Sequence, residues 1–306
     1  MILQRTLKNK VSLQGIGVHS GKSSRVTLRP AQPNRGVLFV RTDLPGAPEI
    51  AAHYKNIVNT QLATTLGYGG VTLSTVEHVL AALQGCGVDN AIIEVDGPEV
   101  PIMDGSSGAF WEAIQSVGVE SQLQARPYLA LRKKVELKIG EKWALVEPSS
   151  HLEIHGSIEW DHPSIGYQEF HYQEGKTEFK DLAWARTFGF LRDVEILKKM
   201  GLARGGSLEN AVVLDHALVL NPDGLRFPDE FVKHKILDAL GDFKLAGISI
   251  QAYIRLHRGG HDLHSQLLTE IFKDPDNFEI IDVSEREEKR FLGMHAALVR
   301  GFVASF

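Results

Sequence analysis

A histidine-bearing helix followed by an apolar strand occurs in both halves of this 306-residue sequence, and this repeat constrains the fold more than any other feature. Residues 77–95 read EHVLAALQGCGVDNAIIEV, and residues 233–254 read KHKILDALGDFKLAGISIQAYI. With a shift of one residue allowed, His78 and His234 occupy matching places near the helix starts. Short alternating strands precede both helices, as is typical of α+β folds. The pattern therefore predicts two similar α+β domains that meet face to face, each contributing one histidine to a shared cleft.

The boundary between the two halves is marked by the polar residues 122–126, after which a strand pattern restarts at Pro127. A chain of 306 residues is long enough for about two domains. We therefore expect a first domain over residues 1–125 and a second domain over residues 126–306.

Composition and charge exclude several classes of protein. The chain has 33 Lys and Arg against 38 Asp and Glu, so it lacks the basic excess of a nucleic-acid-binding protein. Its single cysteine, Cys86, excludes an intramolecular disulfide framework and a cysteine-rich zinc module. No apolar run approaches the length of about 18 residues that a membrane helix needs, and no secretory signal precedes the first strand. We expect a cytoplasmic monomer without nucleic-acid partners or integral membrane contact.

The helix predicted over residues 229–244 carries polar, chemically useful side chains on one face. At about 100° per residue, Asp238 lies about 40° and Asp242 about 80° from His234, whereas the apolar residues occupy the opposite arc. A histidine and an aspartate four residues apart can both reach one metal ion. The same spacing also fits a solvated face with a Lys235–Asp238 ion pair, so the helix alone leaves both interpretations open.

The segment LSTVEHVLAAL offers a third ligand, His78, with Glu77 beside it. A catalytic zinc site takes three protein ligands and leaves one position open for water, whose pKa falls to about 7. A carboxylate next to that water can accept its proton, which makes Glu77 a candidate general base. The alternative is a capping box in which Glu77 reaches back to the backbone of Ser74.

Three further histidines, His257, His261 and His264, follow the second apolar strand. They could form a second metal site, a catalytic acid with its neighbours, or a polar turn. Asp242 could steer His261 and stabilise its imidazolium form, which would raise the pKa of His261 and make it a usable acid. The residues alone leave these three interpretations open.

Taken together, these segments resemble the UDP-3-O-acyl-N-acetylglucosamine deacetylase family, the zinc amidases of bacterial lipid A synthesis. The resemblance covers nearly the whole chain and is densest in GIGVHSG, STVEHVLAAL, VDNAIIEVDGPEVPIMDGSS, ARTFGFLRD, GGSLENAVVLD, LNPDGLRFPDEFVKHKILDALGD and the GGH that ends at His261. It implies two packed two-layer α+β sandwich domains, each with a small insert, and an active site in the cleft between them. It also implies that the substrate is an acylated UDP-amino sugar. A zinc hydrolase of another amide and a non-enzymatic nucleotide-sugar or lipid binder are the alternative functions.

The resemblance also implies roles for individual residues. The implied metal ligands are His78, His234 and Asp238, which would hold one zinc ion, although two histidines and a carboxylate also suit ferrous iron. The implied catalytic residues are Glu77 as general base, His261 as general acid, Asp242 as the residue that orients His261, and Thr187 as the residue that polarises the scissile carbonyl. The implied substrate-binding residues are Phe188 near the sugar, Lys235 in the active site, Arg258 facing the diphosphate, and Trp160 stacking on uracil.

The second insert, around residues 190–212, is implied to form the passage for the 3-O-acyl chain. Its candidate lining residues are Leu191, Ile196, Leu197, Met200 and Leu202. A plain helix core would explain the same five residues. Ala63 stands where some relatives have a cysteine near the metal, so we expect no second zinc ion bound through that position. The C-terminal segment after about residue 270 matches the family poorly and receives no role.

Overall fold

A computed structural model of the protein describes residues 2–282 as a mixed α/β structure with several sheets. The elements of the first half are β1 (Leu3–Leu7), β2 (Val11–Ile16), β3 (Ser23–Pro30), β4 (Val37–Arg41), β5 (Glu49–Ala51), β6 (Ile57–Asn59), β7 (Thr65–Tyr68), β8 (Val71–Leu73), α1 (Glu77–Gly85), β9 (Ala91–Val95), α2 (Gly108–Val117) and β10 (Val119–Ala125). The elements of the second half are β11 (Pro127–Leu131), β12 (Val135–Ile139), β13 (Lys142–Pro148), β14 (Leu152–Trp160), β15 (Gly166–Gln173), α3 (Lys180–Ala183), β16 (Phe188–Phe190), α4 (Leu191–Lys199), β17 (Val212–Leu214), α5 (Glu230–Lys244), β18 (Ser249–His257), α6 (His261–Lys273) and β19 (Phe278–Asp282).

The first half is built on a five-stranded sheet in the order β2-β3-β9-β4-β5, in which β9 and β4 run parallel and the other neighbours antiparallel. Alternate residues of a strand point to the same face of the sheet. Leu28 and Phe39 lie opposite Ile93 on the two neighbouring strands, so the three side chains share one face. All three are fully buried and join the same core as Leu80 and Leu83 of α1. The sheet therefore supports the helix that carries Glu77.

The second half repeats this topology. Five of its strands follow the order β12-β13-β18-β14-β15, in which β18 and β14 run parallel and the other neighbours antiparallel. Strand β11 also pairs in parallel with β18 and antiparallel with β19, so this sheet has seven strands. The helix before the central strand is α1 in the first half and α5 in the second, and the helix after it is α2 or α6. The prediction of an α+β fold with two similar halves is confirmed.

Helices α1 and α5 pack against each other and bring residues of both halves together. Gly241 of α5 lies against the backbone of α1, and a Cβ added there would lie 2.0 Å from the carbonyl oxygen of Glu77. A larger residue would push the two helices apart, so this approach requires glycine. Because His78 follows Glu77 and Gly241 lies between Asp238 and Asp242 in sequence, the helix contact assembles the candidate residues.

Each half also has an insert outside its main sheet. Strands β6, β7 and β8 form a three-stranded sheet, whereas β16 and β17 pair in parallel with α4 between them in the chain. The second insert spans residues 188–214, close to the expected 190–212. No helix within residues 2–282 is long and apolar enough to cross a membrane.

The capping-box interpretation of Glu77 is wrong. Helix α1 begins at Glu77, and the backbone N–H of Ser74 donates to the carbonyl oxygen of Pro98 instead. The Glu77 carboxylate is occupied elsewhere, since it accepts a hydrogen bond from the backbone N–H of Thr64.

The polar residues 122–126 do not form a free linker. Strand β10 continues through Ala125 and pairs with β1, so these residues tie the start of the chain to the start of the second half. The division into domains at residue 125 stays a prediction. Residues 283–306, the end of the second expected domain, lie outside the described residues.

Candidate active site

Three buried side chains, His78 of α1 and His234 and Asp238 of α5, face one another where the two helices meet. The Nε2 atoms of His78 and His234 lie 3.5 and 3.4 Å from Oδ1 of Asp238. That oxygen has no hydrogen-bond partner within residues 2–282. A buried carboxylate oxygen without a partner is destabilising, and a bound cation would remove that cost. The ligand atoms of the three residues lie within 4.8 Å of one another, so the group could hold a metal ion.

Neighbouring contacts fix the orientation of this candidate metal group. Nδ1 of His234 lies 3.0 Å from the carbonyl oxygen of Ala185, which assigns the proton to Nδ1 and presents the lone pair of Nε2 to Asp238. Burial lowers the pKa of His234 to about 3, so its imidazole is neutral near pH 7. Nζ of Lys235 lies 3.1 Å from Oδ2 of Asp238. Lys235 therefore pairs with Oδ2 of Asp238, whereas a metal ion would bind Oδ1 of the same carboxylate.

Glu77 lies beside this group with one of its carboxylate oxygens held in place. Oε2 accepts the backbone N–H of Thr64 at 3.0 Å, and Oε1 lies 3.8 Å from Nε2 of His261. Burial raises the pKa of Glu77, and the nearby His261 and His78 oppose that rise. A buried carboxylate of raised pKa, with Oε1 making no hydrogen bond to the described chain, is suited to accept a proton.

His261, the first residue of α6, is held by Asp242 of α5. Its Nδ1 lies 2.8 Å from Oδ2 of Asp242. Burial lowers the pKa of His261, but the carboxylates of Asp242 and Glu77 outweigh burial and raise that pKa to about 10. His261 is therefore protonated at neutral pH and can serve as an acid. The geometry agrees with the expected steering of His261 by Asp242.

Thr64, which no sequence pattern singled out, and His264 complete the hydrogen bonds of Asp242. Nδ1 of His264 lies 2.8 Å from Oδ2, and the hydroxyl of Thr64 donates to Oδ1 at 2.6 Å. Burial raises the pKa of Asp242, but His261 and these hydrogen bonds outweigh burial and hold that pKa well below its usual range. Thr64 thus contacts both Glu77 and Asp242, the partners of the candidate acid-base chemistry.

The polar-turn interpretation of the three histidines is wrong, because His261 and His264 lie in helix α6. Asp242, His261 and His264 also offer three atoms close enough to hold a metal ion. Their closeness is already explained by the two imidazoles that share Oδ2 of Asp242. The geometry therefore favours an acid with its neighbours. His257 lies apart in β18, where its ring stacks on Trp143.

Several predicted substrate-binding residues lie next to the candidate metal group. The ring of Phe188 makes edge contacts with the ring of His234 at 6.4 Å and with the ring of Trp160 at 5.5 Å between centroids. Nζ of Lys235 lies 5.4 Å from the centre of the Phe188 ring. The structure therefore brings Phe188, Lys235 and Trp160 together beside His234.

Two other predicted residues are not joined to this group by the contacts found among residues 2–282. The backbone N–H of Thr187 donates to the carbonyl oxygen of Gly105. Arg258 forms ion pairs with Glu141 and Glu159. The roles of Thr187 and Arg258 stay predictions.

The five residues predicted to line an acyl passage lie in or next to α4 and are poorly buried. Leu191, Ile196 and Met200 are 50%, 59% and 56% exposed, and Leu197 and Leu202 are half-buried. A helix core would bury these side chains, so the core interpretation is wrong. Exposed apolar side chains of this kind are suited to contact an apolar ligand.

Comparisons with known proteins point in the same direction. The family model for UDP-3-O-acyl N-acetylglycosamine deacetylase matches residues 4–273. A Myxococcus xanthus (strain DK1622) protein named UDP-3-O-acyl-N-acetylglucosamine deacetylase is 51% identical over 93% of this chain and 91% of its own length. A protein of the same name from Geobacter sp. (strain M21) is 49% identical over 92% of this chain and 93% of its own length. Another, from Geotalea uraniireducens (strain Rf4), is 44% identical over 94% of this chain and 94% of its own length. The chain therefore belongs to the UDP-3-O-acyl N-acetylglycosamine deacetylase family.

Proposed function

We propose that this protein is a metal-dependent amidase that hydrolyses the 2-acetamido group of UDP-3-O-acyl-N-acetylglucosamine. The products are acetate and UDP-3-O-acyl-glucosamine, and the reaction is the committed step of lipid A biosynthesis. The observation that carries the proposal is the meeting of a three-ligand metal group with Glu77 and His261 where α1 packs on α5. The related proteins carry names that describe the same activity.

The metal is assigned to His78, His234 and Asp238. Two histidine nitrogens and one carboxylate suit zinc (Zn²⁺) and also suit ferrous iron (Fe²⁺). Oδ1 of Asp238 has no hydrogen-bond partner among residues 2–282, and the imidazole of His234 is neutral, so both fit a bound cation. When bound, the ion would acidify a water molecule and polarise the amide carbonyl.

Glu77 accepts the proton of the attacking water. Thr64 holds Oε2, so Oε1 has a fixed direction, and burial raises the pKa of Glu77 toward the range useful for a base. Loss of that proton makes the water oxygen nucleophilic toward the amide carbon. Thr187 is the proposed donor to the oxygen of the amide carbonyl, on which negative charge develops.

His261 supplies a proton to the leaving amine nitrogen. An amine leaves poorly from a tetrahedral carbon unless it is protonated, so an acid is needed after the base has acted. Asp242 engages Nδ1 of His261, which leaves the proton on Nε2 to be donated. Because Nε2 lies 3.8 Å from Oε1 of Glu77, the base and the acid can serve the same amide group.

The remaining predicted residues are assigned to the substrate. Phe188 and Lys235 would contact the sugar, Trp160 the uracil and Arg258 the diphosphate, while the exposed apolar side chains of α4 would accept the acyl chain. Lys235 and Arg258 would give local positive charge to a chain of net charge −5. A cytoplasmic monomer remains part of the proposal.

Acetate release by the purified protein tests this function. We expect release from UDP-3-O-acyl-N-acetylglucosamine and much slower release from UDP-N-acetylglucosamine, which lacks the acyl chain. Release from an acetylated peptide or polyamine at a comparable rate would assign the chain to another amide. Binding of the acylated substrate without any acetate release would indicate a non-enzymatic binder.

A further inference from the structure

A cleft at the junction of the two halves is separate from the candidate active site. Its volume is about 190 Å³, which is below the roughly 300–1,000 Å³ of sites for drug-sized ligands. Polar residues of both halves line it: Gln4, Asn34, Asp89 and Asn90 from the first half, and Lys244 and Ser249 from the second. None of the residues assigned above to the metal, the base or the acid lines this cleft.

Lys244, the last residue of α5, lines this cleft. Its amine makes no hydrogen bond or ion pair with the described part of the chain. Burial and the nearby Arg126 lower the pKa of Lys244, while the carboxylates of Asp89 and Glu174 raise it. A cation that is partly removed from water without a partner is destabilising, and a bound anion would remove that cost.

Asp89, the acidic residue in the lining, forms an ion pair with Arg126. Its Oδ2 accepts hydrogen bonds from Nε and Nη2 of Arg126 at 3.0 and 2.8 Å, and from the backbone N–H of Arg5 at 2.7 Å. By contrast, the hydroxyl of Ser249 and the side-chain NH₂ of Asn34 have no acceptor among the residues described. Among residues 2–282, the cleft therefore combines a lysine amine that forms no ion pair or hydrogen bond with further donors that have no acceptor.

We propose that this cleft binds a small oxyanion, of the size of phosphate or a short carboxylate, with Lys244 as its charge partner. Charge-assisted hydrogen bonds from an ammonium group to phosphate or carboxylate oxygens are strong. The volume is too small for a nucleotide sugar, so the occupant differs from the substrate proposed above. Because residues of both halves line the cleft, the bound anion stabilises the folded chain.

Urea unfolding of the full chain tests the proposal, with inorganic phosphate and acetate as probes and chloride at equal ionic strength as the reference. A bound anion raises the ratio of folded to unfolded protein by 1 + [L]/Kd, about tenfold at nine times the Kd. We expect a saturable increase for the wild type, its loss in Lys244→Met and its retention in Lys244→Arg. Lys138→Met removes one exposed charge and serves as the matched control.

Three outcomes would overturn the proposal. The first is the absence of any saturable stabilisation of the wild type, and the second is an equal response of Lys244→Met. The third is a response that is lost in Lys235→Met but kept in Lys244→Met, because that would place the anion near the candidate active site. Folding does not obscure the test, since Lys244→Met removes a buried charge that forms no ion pair within residues 2–282. This variant should unfold in chloride at no lower urea concentration than wild type. Comparing phosphate with acetate then separates a tetrahedral oxyanion from a carboxylate.

Discussion

Replacing Thr64 by valine would test whether the hydrogen bonds around Asp242 organise the candidate acid. Valine keeps the shape of threonine but removes the hydroxyl that donates to Oδ1 of Asp242 at 2.6 Å. The backbone N–H of Thr64, which holds Glu77, is unchanged by the substitution. Thr64→Val therefore perturbs the acid side of the network and leaves the contact to the base in place.

The magnitude follows from the burial and charge of the lost contact. Hydrogen bonds to charged groups contribute about 1.5–3 kcal/mol, and a buried acceptor left without its donor loses that amount. Thr64 and Asp242 are 1% and 2% exposed, so water cannot replace the hydroxyl. We expect the free energy of unfolding to fall by about 1.5–3 kcal/mol.

The loss of turnover in Thr64→Val should be smaller than its loss of stability suggests. His261 and His264 still contact Oδ2 of Asp242, so the candidate acid remains in place. Removal of an acid lowers kcat by at least roughly a hundredfold, and the loss in Thr64→Val should be smaller than that. With one donor fewer, the Asp242 carboxylate attracts the proton of His261 more strongly, which raises the pKa of His261. The alkaline limb of the pH–rate profile should therefore move to higher pH.

Urea unfolding and a pH–rate profile of acetate release would measure both effects, with Thr64→Ser as the matched control. Serine keeps the hydroxyl, so its alkaline limb should coincide with that of the wild type. An alkaline limb that does not move in Thr64→Val, together with an unfolding free energy within about 0.5 kcal/mol of wild type, would refute the role given to Thr64.

Further predictions concern the base, the acid and the ligands. Glu77→Gln should keep its bound metal and lose about 10²–10⁴-fold in kcat; metal analysis with acetate release measures this, and retained turnover would reject the base. Because the pKa of His261 is raised to about 10, its protonated form is lost as pH rises through that value, so activity should fall there. His261→Ala should be much slower and should lack this limb, and an unchanged limb would reject the acid. The pKa of His234 is lowered to about 3 in the folded metal-free chain, whereas the pKa of an exposed histidine is about 6.5. As pH falls from about 6.5 toward 3, this proton is therefore taken up by the unfolded chain and not by the folded chain. Stability of the metal-free protein should therefore be full above about pH 6.5 and fall as pH drops toward 3, and urea midpoints that do not change with pH would contradict this.

The repeated topology could be read from the sequence because each half carries the same local signals. A histidine near a helix start, an apolar helix face and a following apolar strand are properties of nearby residues, and they predicted α1 with β9 and α5 with β18. The i, i+4 spacing of His234 and Asp238 likewise placed both side chains on one face of α5.

The contacts that the sequence could not supply join residues that are far apart in the chain. Thr64 and Asp242 are separated by 178 positions, and no local pattern marks a threonine as the partner of a distant carboxylate. The capping box failed for the same reason, since a tertiary contact to Thr64 outcompeted the local contact to Ser74. His264 did carry a signal, because it lies one turn after His261 in the same helix.

Metal content measured together with acetate release tests the central claim most directly. Purified protein would be assayed before chelation, after chelation and after zinc is added back, in the wild type and in Asp238→Ala. The account predicts about one metal ion per wild-type chain, loss of release on chelation and its return with one equivalent of zinc, whereas Asp238→Ala should bind the ion weakly. Acetate release that persists in the fully chelated wild type would contradict the account.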